Sequence, residues 1–244
     1  MVSNKSGPLN FIGTGSAFNY KLGNNSAYIK RNSTLLLIDC GDSVFQSLGK
    51  LNLLQGIKHL YVAITHMHPD HIGSLGEVIL YNQHILQIRT TLIYPDSNSL
   101  KALLTAMGVN EEYYDFLPIC DTNATVIPDI NINLKYIIQD HTNSLKCFAY
   151  ILQLNNKKIF YSGDGKSIPA TILEQLSKNQ IDYLYQDTCS YDSNDIPHLS
   201  LNKLTEIIPA NLRHKVYCMH LDDNFDVNMA KSLGFNVVVN CYNG

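Results

Sequence analysis

Four side chains able to ligate a metal stand within six residues, in Thr65-His66-Met67-His68-Pro69-Asp70-His71. Three imidazoles and a carboxylate this close would repel one another, or go unsatisfied if buried without a partner. A divalent cation resolves both problems, because neutral imidazole and carboxylate are donors that suit zinc. His66 and His68 alternate and point one way, and the Asp70–His71 pair points another, so one short segment can feed two adjacent ions. Two ions about 3.5–4 Å apart suit hydrolysis of a polar ester or phosphodiester. A His-rich exposed loop is the plain alternative. The apolar run 60–65 leading straight into the cluster argues against it.

Short β-branched and apolar runs must position this cluster. Strands are expected at 9–12, 34–39, 60–65, 91–94, 131–139, 146–154, 157–162, 181–187, 215–219 and 235–240. Helices are expected behind polar caps: after Asp42, after Asn98 or Ser99, after Ser200, after Asn224, and over 168–176 with Pro169 in the first turn. Strands from 131 to 162 follow one another without a helix, which is wrong for a strictly alternating doubly wound sheet. The order fits an α/β fold of αββα type, with two mixed sheets packed together and helices outside. No Ser/Gly/Pro-rich linker or charge block divides the chain, so 1–244 reads as one domain.

Composition narrows the classes further. At 244 residues, 45% hydrophobic and 16% charged, the chain can bury one sizeable core. A net charge of −3 excludes a strongly basic polynucleotide coat and leaves a local basic pocket open. No run approaches 18 apolar residues, so no membrane span is expected. The start, Met1-Val2-Ser3-Asn4-Lys5-Ser6, has no apolar stretch after it and does not read as a secretion signal. Cys40, Cys120, Cys147, Cys189, Cys218 and Cys241 are scattered, with no Cys-x-x-Cys pair, and are expected as free thiols in the cytoplasm.

Later segments extend the pattern. Asp140-His141, Tyr161-Ser162-Gly163-Asp164-Gly165 and Cys218-Met219-His220-Leu221-Asp222 each end an expected strand, as does Leu37-Ile38-Asp39-Cys40-Gly41. Each is weak alone, since Gly-Asp-Gly is a common turn and a lone His is often a satisfied core residue. In this order the set resembles the metallo-β-lactamase-fold hydrolase superfamily along nearly the whole chain. The resemblance implies a two-metal centre, with zinc expected and manganese the alternative. It places His66, His68 and His141 on one ion, and Asp70, His71 and His220 on the other, with Asp164 bridging them. Asp70 would also orient the nucleophile, and Asp39 would support the site from behind.

Within that superfamily, Gly13-Thr14-Gly15-Ser16-Ala17 and Leu37-Ile38-Asp39-Cys40-Gly41 resemble ribonuclease Z and its phosphodiesterase relatives. His198, in Pro197-His198-Leu199-Ser200, stands where those enzymes carry a His that protonates the leaving oxygen; the Leu-Ser that follows replaces their Ser-Thr. Asp187 stands where they carry an acidic residue, usually Glu, that orients it. The basic arm with which ribonuclease Z grips long RNA has no counterpart here, so long nucleic acid is not the expected partner. The compact anti-Pycsar cyclic-nucleotide phosphodiesterases share this opening and His motif. The resemblance to them implies a small nucleotide substrate, with Ser16 on the substrate side, and a homodimer. In that dimer the aromatic, acidic segment 110–118, with Tyr113 and Tyr114, would cover the partner's pocket; a core-facing loop is its other reading. Rival functions are a tRNA 3′-processing endonuclease without its arm, hydrolysis at carbon, and a protein that sequesters a nucleotide without turnover.

Overall fold

The computed structural model describes residues 6–193 and 195–241; residues 1–5, where the N-terminus was read for a secretion signal, lie outside it. Strand alternation builds the first layer. In β3 (Thr34–Ile38), Leu35 and Leu37 face one side and Leu36 and Ile38 the other, and all are buried. The first sheet runs β1 (Asn10–Gly13), β2 (Ser26–Arg31), β3, β4 (His59–Ala63), β5 (Thr90–Ile93) and β6 (Tyr114–Phe116), in that spatial order. Its first two pairings are antiparallel and the remaining three parallel.

The second sheet opens with an antiparallel run, β7 (Thr125–Ile127), β8 (Ile132–Gln139), β9 (Cys147–Leu154) and β10 (Lys157–Tyr161). Parallel strands β11 (Tyr183–Cys189), β13 (Val216–Met219) and β14 (Asn236–Val237) complete it, with the short β12 (Leu199–Ser200) beside β11. Three cores hold the layers. Leu36, Ile38 and Tyr61 meet Tyr150, Leu152 and Tyr161 between the sheets. On the outside of the first sheet, α1 (Val44–Lys50), α3 (Leu75–Tyr81) and α4 (Ser97–Ala106) bury Leu48, Val78 and Leu104 against Leu35 and Val62. On the outside of the second, α5 (Ala170–Ser177), α6 (Leu201–Ile207) and α7 (Val227–Ser232) bury Ile172, Leu204 and Ala230 against Phe160 and Val216. Each such aliphatic side chain stabilises the fold by about 1.5–3 kcal/mol relative to exposure. This is the αββα sandwich expected from the order of strands.

Several boundaries differ from expectation, for local reasons. Asp96, not Asn98 or Ser99, caps α4, accepting from Ser99 N at 3.4 Å. Asp226, not Asn224, caps α7 through bonds to Asn228 N and Met229 N. Ser200 does cap α6, accepting from Lys203 N at 3.1 Å. Strands β2, β6 and β7 and helix α3 were not expected. The last strand is confined to Asn236–Val237. All six cysteines are free thiols. Among the described residues no helix is long and apolar enough to cross a membrane.

Candidate metal centre

The donors hang from strand ends on one rim of the sandwich. After β3 the chain turns through Asp39, whose φ of 67° is left-handed, a conformation costly for a residue with a Cβ. Buried Asp39 accepts from Thr65 N at 2.7 Å and from Thr65 Oγ1 at 2.9 and 3.1 Å, tying the loop after β4 to the end of β3. His68 sits in an extended conformation just before α2 (Pro69–Ile72), whose single turn carries Asp70 and His71. Gly41 lets that turn pack down: a Cβ there would lie 1.9 Å from the Asp70 carbonyl oxygen. From the second sheet, His141 follows β8, Asp164 follows β10, and His220 follows β13 on a second left-handed backbone, φ 58°.

Two groups of donor atoms meet across the rim, each within 4.8 Å of one another: His66, His68 and His141, then Asp70, His71, Asp164 and His220; a third, Asp164, Asp187, His198 and His220, overlaps the second. In the first, His68 Nδ1 is 2.9 Å from His66 Nε2 and 3.3 Å from His141 Nε2. In the second, His71 Nε2 is 3.2 Å from both Asp70 Oδ2 and Asp164 Oδ1, and His220 Nε2 is 3.3 Å from the same two oxygens. The other oxygen of Asp164 faces the first group, 3.8 Å from His66 Nε2 and 3.7 Å from His141 Nε2. One carboxylate therefore looks into both groups.

The hydrogen bonds behind the rings decide which nitrogens carry protons. His71 Nδ1 donates to Asp39 Oδ2 at 2.9 Å, His220 Nδ1 to Asp187 Oδ1 at 3.2 Å, and His141 Nδ1 to the Pro197 carbonyl at 3.0 Å. His66 Nδ1 lies 3.1 Å from Thr65 Oγ1, whose own proton goes to Asp39. The Nε2 lone pairs of His66, His71, His141 and His220 are left pointing inward, with Nδ1 of His68 beside them. At His71 and His220 they meet carboxylate lone pairs, and His71 Nε2 and Asp164 Oδ1 are buried without a hydrogen-bond partner. A cation between them removes the conflict, so the residues fit divalent metal.

Without metal, protons take that place. Burial disfavours charge on both rings, but Asp164 and Asp39 outweigh it at His71, and Asp164 and Asp187 at His220, whose pKa is pushed up to about 10. Burial and then a neighbouring imidazole, His71 for His66 and His141 for His68, lower the pKa of those two rings. Those two are neutral donors. Metal binding would displace protons mainly from the second group.

His198 and Asp187 complete the rim. Asp187 is fully buried and accepts from His198 Nδ1 at 2.6 Å through Oδ2, while Oδ1 holds His220. The His198 ring stacks on His220 with centroids 5.2 Å apart. Burial opposes its positive charge, yet the Asp187 carboxylate outweighs it, and the pKa is raised. With Nδ1 engaged, Nε2 is the nitrogen left for a ligand. A cavity of about 430 Å³ opens over these groups, lined by His68, Asp70, His141, Asp164, His198 and His220 together with Asp42 and Thr142. Among the described residues, no Lys or Arg lines it.

Ser16 lies on the wall of an adjoining cavity. Tyr113 and Tyr114 are not brought to either cavity of their own chain. Tyr114 is 4% exposed, packed in the core between the first sheet and its helices, and Tyr113 rests on His84 with ring centroids 5.2 Å apart. Residue spacing does not single out Phe18 and Tyr191, aromatic side chains that stand open to solvent beside the site. Solvent exposure of an aromatic ring leaves no mark in residue spacing.

Comparison with known proteins agrees with this geometry. The chain is 29% identical to the anti-Pycsar protein Apyc1 of Paenibacillus harenae, over 89% of this chain and 91% of that one. It is 32% identical to the protein of the same name from Bacillus phage vB_BveM-Goe7, over 92% of each. Among solved structures it is similar to the metallo-β-lactamase fold protein YhfI from Bacillus subtilis, with a TM-score of 0.72, 16% identity, and 95% and 94% of the two chains covered. The short form of human tRNase Z matches with a TM-score of 0.65 at 15% identity, over 95% of each. These likenesses establish the metallo-β-lactamase fold. The sequence profile of anti-Pycsar protein Apyc1 matches residues 8–242, and the chain belongs to that family.

Proposed function

We propose that the protein is a metal-dependent phosphodiesterase acting on a small phosphodiester, a 3′,5′-cyclic nucleotide. The carrying observation is the His198–Asp187 pair beside the metal donors. Phosphodiester hydrolysis expels an alkoxide, and a protonated imidazole with a raised pKa supplies the proton that the leaving sugar oxygen needs. His198 would give that proton from Nε2 as the P–O3′ bond breaks, while Asp187 holds Nδ1–H and stabilises the charged ring. Asp70, in the second donor group, would orient the attacking water. Two divalent ions, zinc in the first instance, would supply Lewis acidity and a water acidic enough to ionise near neutral pH. His66, His68 and His141 would hold one ion, Asp70, His71 and His220 the other, and Asp164 both.

The absence of Lys and Arg from the cavity lining supports a small substrate, since a long polyanion is gripped by many cationic contacts. The relatives' designation as anti-Pycsar proteins is in line with this reading. A dimer in which segment 110–118 reaches a partner's pocket would have to use its exposed residues, Glu111 and Glu112 among them, because Tyr114 is buried. The test is a panel: metal-loaded protein with 3′,5′-cyclic nucleotides, bis(p-nitrophenyl) phosphate, nitrocefin and a pre-tRNA. Turnover of the first two is expected. Cleavage of pre-tRNA alone would replace the reading with an endonuclease, turnover of nitrocefin alone with hydrolysis at carbon, and tight nucleotide binding without turnover with sequestration.

A further inference from the structure

The cavity over the metal donors does not end at His198. Ala17, Phe18, His198 and His220 also line a second, adjoining cavity of about 230 Å³. We propose that this second cavity seats the nucleoside half of the substrate, with the base stacked on Phe18. The inference rests on the phosphodiesterase reading above: if His198 protonates a sugar oxygen, the sugar and its base extend past His198 toward the cavity that Phe18 and Tyr191 line.

Phe18 is the observation that singles out the cavity. Its ring is 91% exposed and belongs to none of the three cores. The backbone beneath it is nonetheless pinned. Ser16 N donates to the Leu221 carbonyl at 3.0 Å, Asn19 N to the Ser16 carbonyl at 3.0 Å, and Asn19 Nδ2 again to Leu221 at 3.0 Å. Leu221 directly follows His220, so the turn carrying Phe18 is fastened to a metal donor. Gly15 makes the closure fit, because a Cβ there would lie 2.7 Å from the Asn19 carbonyl oxygen. A phenyl presented on a fixed turn and left uncovered is preorganised to receive a flat partner.

The remaining walls match a base. Tyr191, 53% exposed, lines the same cavity and is steadied by Asn224 Nδ2, 2.9 Å from its hydroxyl. The carboxylate of Asp222 is spent on Ser190 N, Ser190 Oγ and Asn224 N. Asp223 has no hydrogen-bond partner among the described residues, and its carboxylate can accept from a ring N–H or exocyclic amine. Among the described residues no Lys or Arg lines the cavity, so it offers no cation to a second phosphate. Stacking accepts any base, because every base has a π-face. The cavity therefore selects for a nucleoside and tolerates both purine and pyrimidine.

The test compares metal-loaded native protein with Phe18→Ala and Phe18→Tyr. Substrates are 3′,5′-cyclic nucleotides and 1-deoxyribose 3,5-cyclic phosphate, the same ring without a base. Phe18→Ala should raise KM for the nucleotides roughly ten- to a hundredfold with little change in kcat, and leave the base-free substrate unaffected. Phe18→Tyr should restore native KM. An equal loss on both substrates, or none on either, overturns the proposal. Turnover of neither substrate by native protein would overturn the phosphodiesterase reading instead. The cavity is then judged by calorimetry with nucleoside 5′-monophosphates against ribose 5-phosphate. Native protein should bind the nucleotide at least roughly tenfold more tightly, and Phe18→Ala should erase the difference; equal affinities for native protein overturn the proposal.

Discussion

Asp39 and Asp187 stand behind the metal donors on opposite sheets, both fully buried, and their hydrogen bonds lead to different places. Asp39 spends its oxygens on Thr65 and His71, all within the His-rich loop and its approach. Asp187 divides its oxygens between His220, a metal donor, and His198, which lines the cavity, and also accepts from Gly165 N at 3.0 Å. The first carboxylate closes a circuit; the second joins the candidate metal centre to His198. A carboxylate behind a ligating imidazole fixes its tautomer and raises its basicity in either case. Only Asp187 also holds a residue that lines the cavity, raising its pKa. Asp39 on the first sheet serves candidate metal donors alone, and Asp187 on the second serves a candidate donor and His198 together.

The widest break in that comparison is made at the residue common to both donor groups. Asp164→Ala removes the oxygens facing each group, so bound metal should be lost and activity fall to background, with circular dichroism still showing a folded sandwich. His68→Ala removes a donor from the first group alone and should leave part of the metal in place. Elemental analysis of both variants, before and after adding zinc or manganese, checks this. Native protein that takes up no metal would end the assignment.

The two sheets also differ in how far their parts could be read beforehand. His66, His68, Asp70 and His71 announce themselves because one loop and one helical turn carry all four. Their counterparts His141, Asp164, His198 and His220 come from separate loops spread over 80 residues; recurrence at strand ends in order marks His141, Asp164 and His220, and only a family resemblance marks His198. Strands β6 and β7 were missed because three residues show no period; they exist by pairing with β5 and β8. Strand β2 carries the alternation, with Ala27 and Ile29 facing the inter-sheet core, but Lys30 and Arg31 at its end mask it. The left-handed backbones of Asp39 and His220 had no sequence signal, because tertiary packing imposes them.

Next in size is His198. His198→Ala should keep its metal and lose roughly 10²–10⁴ in kcat on cyclic nucleotides. Bis(p-nitrophenyl) phosphate expels a stable phenolate that needs no proton, so the loss there should be much smaller. An equal loss on both substrates would make His198 a positioning residue.

Asp39→Asn and Asp187→Asn then sharpen the contrast directly. Each should weaken metal binding by roughly 10–100-fold, measured by competition with a chelator. Beyond that, only Asp187→Asn should alter the pH profile. A general acid works while protonated, so activity on cyclic nucleotides falls as pH rises through the His198 pKa. Asp187 raises that pKa above the ordinary value of about 6.5, and without its charge the falling limb should move to lower pH. At saturating metal, Asp39→Asn should leave the limb where it is. A shift common to both variants would mean that the two carboxylates do the same job.

The smallest catalytic effect is expected at the far edge of the first sheet, where β6 contributes to packing and to neither cavity. Tyr114 is buried there, and its hydroxyl has no hydrogen-bond partner. Tyr114→Ala should cost about 3–5 kcal/mol, as removal of a buried aromatic ring does. Tyr114→Phe deletes an unsatisfied polar group, which stabilises by about 1–3 kcal/mol where the site stays dry. At this chain length each kcal/mol moves Tm by about 2–4 °C, so thermal denaturation separates the two variants clearly. Neither should change kcat or KM at temperatures where it is folded. Tyr113→Ala, at the surface beside it, tests the remaining connection between this edge and the site. If segment 110–118 covers a partner's pocket, light scattering shows a dimer and Tyr113→Ala raises KM without loss of metal. An unchanged KM, or a fully active monomer, would confine the whole edge to packing and leave substrate binding to the turn that carries Phe18.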